Sequence, residues 1–491
     1  MKSKFSKVLS ILLSIVLVIS SFYLLYQVIR LNVLPSKFLF PLTIGVVVLD
    51  AIFILLLIYF SRNVVSKIIC IILTLFICLA SCMGGYYISK TQGALSNITS
   101  VAKHAKNTVS VIVKESSSIK NKSQLNGVSV GSLRLNEQGS KKALKELSSE
   151  GIVLNQTEYD SMTALLEAFY NGEVDSIIIN ESSRSQILDM EAYSNFDSNT
   201  RVVYQTSYKV KNNDSASSVS DITSKPFNVL ISGSDTRGGF DENGRSDVIM
   251  VATVNPKTHT ILLTSVPRDF YVTTACDAGD GCMQGALDKI THTGIHGTNT
   301  TKRTVEQLLG IEINYTFKVG FDTVTELVDV LGGVDVYVEP GYATTTSEFS
   351  VHEGVNHLNA QQALAFARER YSYTEGDRQR TKNQQQVLMG IVKEATKPSV
   401  ITNYAAIMDT MANTFSTTMS NEEITALIKY QLNNNPTWKM EQYMVDGTGD
   451  TLMCAELGDA AYVMVPDQST VKTAKDKINA VLAGKSSEDV K

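Results

Sequence analysis

The stretch FNVLISGSDTRGG, residues 227–239, decides the fold of the second half of the chain. It begins as an apolar strand, Phe227–Ser232, and ends in a loop of glycine and polar residues. Two more apolar strands follow, Val248–Val254 and Thr260–Val266, joined by the turn signal NPKT at 255–258. The pattern therefore predicts a β-sheet in which the second and third strands form a hairpin.

This hairpin brings charged residues from separate stretches to one end of the sheet. With the turn at its centre, Arg245 should face Arg268 and Asp247 should face Val266, to within a residue or two. The loop after the first strand adds an acidic residue at the same end. The charged residues gathered there are Asp235, Arg245, Asp247, Arg268 and Asp269.

A second charged group lies near residue 370. Asn359 and Gln362 form an asparagine version of a capping box, which predicts a short helix over residues 360–367. Arg368 and Arg370 come directly after it. Because they are two residues apart in an extended segment, we expect both side chains to point to the same side.

A longer helix should begin at the next turn, with Asp377 as its N-cap. Arg380, Gln384, Val387 and Ile391 fall on one stripe of this helix. The two apolar residues mark the stripe as facing the core. Arg380 and Gln384 are therefore polar groups at the start of a buried face, beside the positive end of the helix dipole.

Four arginines, two or three aspartates and a helix N-terminus fit a di- or polyphosphate bound with a divalent metal. The planar guanidinium group matches phosphate oxygens two at a time and keeps its charge at any working pH. Paired carboxylates hold a hard cation such as Mg²⁺. The alternative is a set of surface ion pairs, which contribute little to stability, and Arg237 and Asp269 suit that alternative best.

These motifs resemble the LytR-CpsA-Psr family. The segments that carry the resemblance are NVLISGSDTR (228–237), GRSD (244–247), SVPRD (265–269), FARER (366–370), GDRQR (376–380) and QQQ (384–386). Motifs in this order and at compatible spacing are highly specific, and they cover residues 226–400. The resemblance implies an α-β-α catalytic domain with a central mixed sheet, and the whole chain is similar to the capsule-linked CpsA-type branch.

The resemblance also implies a role for each charged residue. Asp235, Arg245 and Arg268 would be catalytic, and Asp235 would hold Mg²⁺ together with Asp247. We further expect Asp235 to accept the proton of the attacking hydroxyl. The residues implied to bind the pyrophosphate are Arg245, Arg268, Lys302, Arg368, Arg370, Arg380 and Gln384.

Two features of the segment after the third strand complete the candidate site. The family has a lysine there, for which Lys289 and Lys302 are both candidates, and we favour Lys302. Cys276 and Cys282 bracket five residues of an insertion. Outside the cell they would form a small disulfide loop; the alternative is two unpaired thiols.

The function implied is that of a Mg²⁺-dependent phosphotransferase of a Gram-positive cell wall. It would take a glycopolymer, capsular polysaccharide in this branch, from a polyprenyl pyrophosphate carrier and attach it to peptidoglycan through a phosphodiester bond. Its partners would be the lipid-linked glycopolymer, peptidoglycan, membrane lipid and other capsule-synthesis proteins. Three alternatives stay open: a lipid pyrophosphatase, a membrane-bound regulator of capsule synthesis, and a non-catalytic binder. No nucleic-acid partner is expected, because the cytoplasmic segments are too short to fold on a duplex.

The first ninety residues hold three apolar stretches, at about 8–29, 38–60 and 65–87. Each is long enough to cross a bilayer, which needs about 20 residues. The N-terminus and the second loop together carry more lysine and arginine than the first loop. This excess predicts that the N-terminus and the second loop lie in the cytoplasm. The C-terminal domains would then lie on the extracellular side of a multi-pass membrane protein. Asp50, inside the second span, is expected to face a neighbouring helix.

The whole chain is thus predicted to be α/β, with four parts. These are three transmembrane helices at 1–90, a small accessory α/β domain at 91–211, a linker at 212–225 and the catalytic domain at 226–485. Predicted accessory strands at 109–113, 128–130, 152–154, 175–180 and 202–210 alternate with helices at 141–147 and 162–170. The 44% hydrophobic and 19% charged content excludes a disordered chain, and six cysteines exclude a disulfide-rich scaffold.

Overall fold

The computed structural model describes residues 2–60, 63–101, 104–134, 137–211, 214–234, 242–277, 281–397, 406–412 and 415–490. The chain forms two compact units. The first consists of residues 1–97, 395–412 and 420–436, and the second of residues 98–394, 413–419 and 437–491. The first unit contains the membrane anchor, and the second contains the two large sheets.

Three long helices form the anchor: α1 (Lys2–Leu31), α2 (Ser36–Leu55) and α3 (Val64–Val101). Each lies in a segment long and apolar enough to cross a membrane, which confirms the three predicted spans. The third of these segments continues to Thr99, well beyond the predicted end at residue 87.

Polar contacts in the first unit join its separate segments. The Ser21 hydroxyl on α1 donates to Asp50 Oδ1 on α2 at 2.9 Å, so this acid faces a neighbouring helix as expected. A helix far along the chain, Asn421–Asn434, belongs to the same unit, and its Lys429 Nζ donates to Asn32 Oδ1 between α1 and α2 at 2.6 Å. Arg62, which entered the orientation prediction, lies outside the described residues.

The accessory part of the second unit is a five-stranded sheet in the order β3-β2-β4-β1-β5. Its strands are β1 (His104–Lys114), β2 (Ser129–Leu133), β3 (Asn155–Tyr159), β4 (Ser176–Asn180) and β5 (Thr200–Lys211). Its helices are α4 (Glu137–Ser149), α5 (Met162–Asn171), α6 (Arg184–Asp189) and α7 (Phe196–Asn199). Successive residues of β4 enter different cores: Ile177 packs with Phe169 of α5, and Ile178 packs with Leu147 of α4.

One predicted accessory strand is wrong. The apolar residues Ile152 and Leu154 lie before the strand, which is the polar segment Asn155–Tyr159. This segment is an edge strand with mostly exposed side chains, so it needs no apolar pattern. Ile152 and Leu154 instead pack into the core from the approach to the strand.

The part predicted to be catalytic, residues 226–485, is called the catalytic part and has a six-stranded mixed sheet in the order β16-β11-β6-β7-β8-β17. Its strands are β6 (Phe227–Ser234), β7 (Val248–Asn255), β8 (Thr260–Ser265), β11 (Tyr315–Gly320), β16 (Phe415–Thr417) and β17 (Lys439–Met444). The remaining strands are β9 (Tyr271–Thr273), β10 (Leu287–Lys289), β12 (Val334–Val338), β13 (Thr344–Thr345), β14 (Ser350–Val351), β15 (Gly354–Leu358), β18 (Gly447–Cys454) and β19 (Asp459–Pro466). Among the described strand pairs of this sheet, β11–β6 and β17–β8 are parallel and the others are antiparallel.

Helices cover this sheet and a second small core. They are α8 (Thr298–Leu309), α9 (Phe321–Leu331), α10 (Ala360–Arg368), α11 (Asp377–Ala395) and α13 (Gln468–Leu482), while the helix of the first unit, Asn421–Asn434, is α12. Val305 of α8 and Ile478 of α13 are buried with Leu230 and Leu262 of the sheet. Phe366 of α10 is buried in the second core. The predicted α/β class with a mixed central sheet is confirmed.

The hairpin register differs from the prediction by two residues. Met250 pairs with Ser265 and Val254 pairs with Ile261. The shift lies within the predicted margin, and it brings Asp247 rather than Arg245 level with Arg268.

The segment predicted as a linker is attached to the catalytic part where it is described. Ser217 N donates to the Asn314 carbonyl at 2.9 Å, and Val219 N donates to the Tyr315 hydroxyl at 3.1 Å. The Ile222 side chain is buried. Residues 214–225 therefore pack against the catalytic part near the start of β11 and do not form a solvent-exposed linker.

Candidate active site

The candidate site lies at the edge of the sheet where β6 and β8 end and β7 begins. Asp247 precedes β7, and Arg268 follows β8. Arg268 Nη1 donates to Asp247 Oδ1 at 2.9 Å, and Arg245 Nη2 lies 3.8 Å from Asp247 Oδ2. The structure thus brings three of the predicted residues together.

Backbone hydrogen bonds hold the loop that carries Arg245 and Asp247. Asp247 N donates to the Gly233 carbonyl at 2.8 Å, and Ser246 N donates to the Thr291 carbonyl at 2.9 Å. Thr291 N in turn donates to the Arg268 carbonyl at 3.0 Å. A Cβ on Gly294 would lie 2.5 Å from Ser246 N, so only glycine allows the neighbouring turn to approach this loop. The charged side chains therefore start from a fixed frame.

Asp247 is ionised in a buried setting. Its side chain is 13% exposed. Burial acts to raise the pKa of Asp247, but the positive charges of Arg245 and Arg268 outweigh burial and lower the pKa below its ordinary value. The carboxylate is therefore a permanent negative charge among the arginines.

Arg380, in the first turn of α11, adds a third buried guanidinium group. Burial lowers the pKa of Arg380, the charges of Arg268 and Arg370 lower it further, and Asp377 opposes them. For Arg268, burial acts to lower the pKa, but the carboxylates of Asp247, Asp269 and Asp377 outweigh burial and raise it. The electrostatic influence of Asp247, Arg268 and Arg370 on Arg380 agrees with a shared region for these residues.

The three buried guanidinium groups are incompletely satisfied. The side chains of Arg245, Arg268 and Arg380 are between 12% and 17% exposed. The Nε of each is buried and has no hydrogen-bond partner among the described residues. A buried donor without a partner is costly. Three such donors around one site indicate a ligand rich in acceptor oxygens.

Similarity to known proteins identifies the family of this chain. The model of the LytR_cpsA_psr family matches residues 192–480, more than half of the chain. The chain belongs to the LytR-CpsA-Psr family. The predicted family is confirmed, while its capsule-linked branch stays a prediction.

The relatives of this LytR-CpsA-Psr protein include Bacillus proteins named polyisoprenyl-teichoic acid–peptidoglycan teichoic acid transferase TagU. That of Bacillus cereus strain AH820 is 31% identical over 236 residues, which are 48% of this chain and 74% of the relative. That of Bacillus subtilis strain 168 is 35% identical over 196 residues, which are 40% of this chain and 60% of the relative. A crystal structure of a Streptococcus agalactiae protein is 25% identical with a TM-score of 0.46, covering 53% of this chain and 88% of that chain.

The remaining predicted phosphate ligands of the LytR-CpsA-Psr domain lie at the end of α10, directly after it, and on α11. Arg370 is half-buried, and its guanidinium group lies 4.7 Å from the centre of the Tyr371 ring. Arg368 is the exposed last residue of α10. Gln384 is half-buried on α11, one turn after Arg380.

The helix α11 differs in two ways from its predicted pattern. Asp377 is its first residue and not its N-cap, and it forms an ion pair with Arg380. The buried side is also broader than the predicted stripe. Asn383 Nδ2 donates to the Phe366 carbonyl at 3.0 Å and Gln385 Nε2 to the Tyr443 carbonyl at 2.8 Å, so polar side chains bind the backbone on either side of Gln384.

The two candidate lysines make different contacts, and the preference for Lys302 stays a prediction. Lys302 is buried on α8, and its Nζ donates to the Ser215 carbonyl at 2.9 Å. Lys289 Nζ lies 3.3 Å from Asp269 Oδ1, and Asp269 Oδ2 lies 3.8 Å from Arg268 Nε. Asp269 therefore links Lys289 to the arginine cluster.

Asp235 and Arg237 lie outside the described residues. The described part of the predicted metal pair is Asp247, whose Oδ1 accepts from Arg268 while its Oδ2 makes no hydrogen bond to another described residue. A hard carboxylate oxygen with spare capacity suits Mg²⁺, and the described residues contain no group of three His, Cys, Asp or Glu that could hold a metal alone. The Mg²⁺ site thus stays a prediction that depends on Asp235.

No pattern in the sequence predicts one contact of Arg245. Arg245 Nη1 forms an ion pair with Asp189, the last residue of α6 in the accessory part. Nothing near Asp189 in the sequence distinguishes it from any other surface acid. The accessory sheet and the arginine site are therefore physically joined within the second unit.

The insertion after β9 is closed by a covalent bond. Cys276 and Cys282 are joined by a disulfide. Arg303 of α8 forms an ion pair with Asp277 inside this loop. The loop is thereby held against α8.

Proposed function

We propose that this protein transfers a glycopolymer from a polyprenyl pyrophosphate carrier to peptidoglycan and joins the two through a phosphodiester bond. The observation that carries the proposal is the trio of buried guanidinium groups whose Nε donors lack partners among the described residues. A pyrophosphate group presents several acceptor oxygens and negative charge in a small volume, so it suits these donors. Membership of the LytR-CpsA-Psr family and the names of the TagU relatives support the same reaction class.

In the proposed reaction, a sugar hydroxyl of peptidoglycan attacks the phosphorus next to the polymer. A new oxygen–phosphorus bond forms, the bond from that phosphorus to the bridging oxygen breaks, and polyprenyl phosphate leaves with the bonding electrons. The hydroxyl proton passes to a carboxylate, for which we propose Asp235. Arg245, Arg268 and Arg380 stabilise the charge that develops on the leaving phosphate.

Mg²⁺ is the proposed cofactor. Asp247, together with Asp235, would hold it, and the ion would offset negative charge on the phosphates. Lys289, Arg368, Arg370 and Gln384 are proposed as further contacts to the pyrophosphate.

The proposed site of action is the outer face of the cell membrane. The distribution of lysine and arginine around the three spans favours an external location for the segments after the third span. No supply of ATP can be assumed there, so the energy for transfer would come from the pyrophosphate bond itself. Anchoring enzyme and lipid carrier in one membrane raises their effective concentration. A tag placed after Lys491 should therefore be accessible to protease in intact cells, whereas protection of the tag would contradict this orientation.

For the polymer we propose a capsular polysaccharide. Three spans followed by an accessory α/β domain resemble the capsule-linked branch of the family. Comparing capsular polysaccharide and teichoic acid as donors, both on the same carrier, would decide between the two polymers: faster transfer of the teichoic acid would contradict the capsular proposal.

The transfer reaction can be tested with the full chain in lipid nanodiscs, a labelled glycopolymer on polyprenyl pyrophosphate, purified peptidoglycan and Mg²⁺. We expect wall-linked polymer and polyprenyl phosphate to appear in equal amounts. Asp235→Asn should abolish transfer, and near-normal turnover would remove Asp235 from its proposed roles. Release of free polymer in place of wall-linked polymer would identify a pyrophosphatase instead.

A further inference from the structure

A polar cleft lies beside the arginine site, within the second compact unit. One wall is formed by β1, β5 and residues 181–185 of the accessory part, and the other by residues 242–244 of the catalytic part. Its volume is about 470 Å³. This size falls within the range of about 300–1,000 Å³ that is usual for ligand sites.

Direct contacts between the two parts hold the walls of this cleft together. Thr108 on β1 donates a hydrogen bond to Glu242, and Lys106 Nζ lies 3.6 Å from Glu242 Oε1. Arg245, directly after the wall residue Gly244, forms the ion pair with Asp189. A ligand in the cleft would therefore continue into the site proposed for the phosphates.

The charges that line the cleft balance, in contrast to the arginine site. The charged lining residues are Lys106, Arg184, Arg201, Glu181, Asp197 and Glu242. Three are positive and three are negative, and Arg184 is paired with Glu181 at 2.8 Å and Asp197 at 2.9 Å. A wall without net charge does not favour a phosphate or another small anion.

The uncharged part of the lining offers hydroxyl and amide groups. Ser182, Ser185, Gln205 and Asn243 contribute them, and Val202 is the largest apolar residue among the described lining. The Ser182 side chain is more than nine-tenths buried, and its Oγ has no hydrogen-bond partner among the described residues. An unpaired buried hydroxyl in the wall indicates a ligand that supplies a hydrogen bond there. A neutral ligand dense in hydroxyl groups meets all these conditions.

We propose that this cleft is a saccharide subsite, which binds sugar units of the glycan next to the phosphate that is transferred. The proposal rests on the proposed transferase function and extends it by giving the accessory domain a role in substrate recognition. The sugar units could belong to the polymer of the donor or to the glycan strand of peptidoglycan, since both are chains of hydroxyl-rich rings. The two sources can be separated by experiment.

The test fills the cleft with a bulky side chain. Val202 lies on β5 and is 43% exposed, so Val202→Trp can occupy the cleft without disturbing a core. The matched control is Val153→Trp, because Val153 is 57% exposed beside β3 at the opposite edge of the same sheet. Gln205→Ala is a second, smaller change, in case the tryptophan prevents folding.

Two measurements use the full chain in nanodiscs. The first is binding of soluble glycan oligomers, released from the donor polymer or from peptidoglycan, in the absence of any lipid carrier. We expect Val202→Trp to weaken binding of one of these oligomers about tenfold, as for one or two lost hydrogen bonds, and Val153→Trp to leave it unchanged. Gln205→Ala should weaken it by a smaller factor.

The second measurement is the ratio of kcat/KM between long and short glycans, varied first in the donor and then in the acceptor. Val202→Trp should reduce this ratio at least fivefold in one of the two series, and that series identifies the source of the sugar. An unchanged ratio in both series, or unchanged binding of both oligomers, would overturn the saccharide subsite. Failure of the unaltered protein to transfer even a short glycan would instead count against the transferase function, and the binding measurement would still decide the cleft.

Discussion

Buried arginines occur in both parts of the second unit, and their surroundings differ. In the accessory part, Arg184 gives Nε and Nη2 to Glu181 and Nη1 to Asp197. In the catalytic part, the side chains of Arg268 and Arg380 are 17% and 13% exposed, and each has a buried Nε without a hydrogen-bond partner among the described residues. Arg184 donates to carboxylates through all three of its side-chain nitrogen atoms. Arg268 and Arg380 each have an Nε that donates to no described residue.

The pKa directions follow the same division. Burial acts to lower the pKa of Arg184, but Glu181 and Asp197 outweigh burial and raise it. For Arg380 burial and the neighbouring Arg268 together lower the pKa in spite of Asp377. Removal of an arginine of the first kind destabilises the protein, because its carboxylate partners lose their compensating charge. An arginine close to other arginines destabilises the folded state by charge repulsion. Binding of an anion to the folded protein reduces this destabilisation.

The largest expected effect is the loss of the compensated arginine. Arg184→Met would leave Glu181, whose side chain is 15% exposed, without its partner, whereas Asp197 is 37% exposed and is screened by solvent. The local free energy of unfolding should therefore fall by about 3 kcal/mol. Hydrogen exchange of α5 and β4 in the full chain measures this quantity. Arg134→Met is the control, because Arg134 pairs with Asp160 on the surface with 62% of its side chain exposed. Equal protection in both variants would show that Arg184 is not structural.

Substitution of Arg268, whose Nε has no partner among the described residues, should change the free energy of unfolding less than substitution of Arg184 does. It should reduce turnover more. Arg268→Lys keeps the positive charge and removes the planar fork, so kcat/KM for transfer should fall about 10²- to 10³-fold, or about 2.7–4 kcal/mol. The stability of the fold should hardly change. Stabilisation by added inorganic pyrophosphate, seen as a rise in Tm, should decrease in the same variant.

An outcome at Arg268 opposite to that at Arg184 is essential to the comparison. Unfolding of Arg268→Lys, together with loss of transfer but not of stability in Arg184→Met, would contradict the comparison. Arg268 would then stabilise the fold and Arg184 would serve transfer. Arg134→Lys, a change of the same type on the accessory surface, should affect neither quantity.

Sequence reasoning succeeded where a feature depends on residues close together in the chain. The capping box of Asn359 and Gln362 is present, with both of its hydrogen bonds, and α10 covers Ala360–Arg368. The apolar runs of β6, β7 and β8 are strands at the predicted places, since each run buries its own side chains. Convergence of Arg245, Asp247 and Arg268 followed from one turn signal.

It failed where partners come from distant parts of the chain. Asp189 meets Arg245 across 56 residues, and no local pattern predicts which surface acid makes such a contact. The polar strand β3 lacks the alternation that predicts strands, because its position at the edge leaves its side chains in solvent. The choice between Lys289 and Lys302 depended on the direction of two side chains, which spacing alone does not determine.

The third prediction concerns a buried charge in the catalytic part that is fully paired, as Arg184 is in the accessory part. We expect this charge also to contribute to the stability of the fold. Glu441 of the catalytic sheet accepts from Lys439 at 2.8 Å, from Ser486 Oγ at 3.0 Å and from Ser487 N at 2.9 Å. Burial acts to raise the pKa of Glu441, but these contacts outweigh burial and lower it to about 2 from an ordinary 4.5. Glu441→Gln should therefore lower the free energy of unfolding at pH 7 by about 1.5–3 kcal/mol.

The sign of the pH dependence follows from linkage. The unfolded carboxyl group binds its proton below pH 4.5 and the folded one only near pH 2, so the contribution of Glu441 is complete above 4.5 and is lost as pH falls toward 2. The difference between the two proteins should shrink over that window. Trp438, the one tryptophan of the sequence, lies next to β17, and its fluorescence follows denaturant unfolding at this edge. A difference that stays constant from pH 7 to pH 2.5 would contradict the compensated carboxylate.

The smallest effect separates the two lysines of the catalytic part. Lys289 lies against Asp269 beside the arginine cluster, so Lys289→Met should lower kcat/KM about tenfold by removing one charge near the phosphates. Lys302 donates to the backbone of Ser215, so Lys302→Met should loosen residues 214–225 and change turnover less than twofold. Transfer kinetics and hydrogen exchange of residues 214–225, measured on both variants, give the two readouts. A tenfold loss of turnover in Lys302→Met with unchanged exchange would return that lysine to the phosphate site. It would also show that a lysine whose hydrogen bond is satisfied without ligand can still bind substrate. The contrast between fully paired charges and charges with unpaired donors would then be weaker.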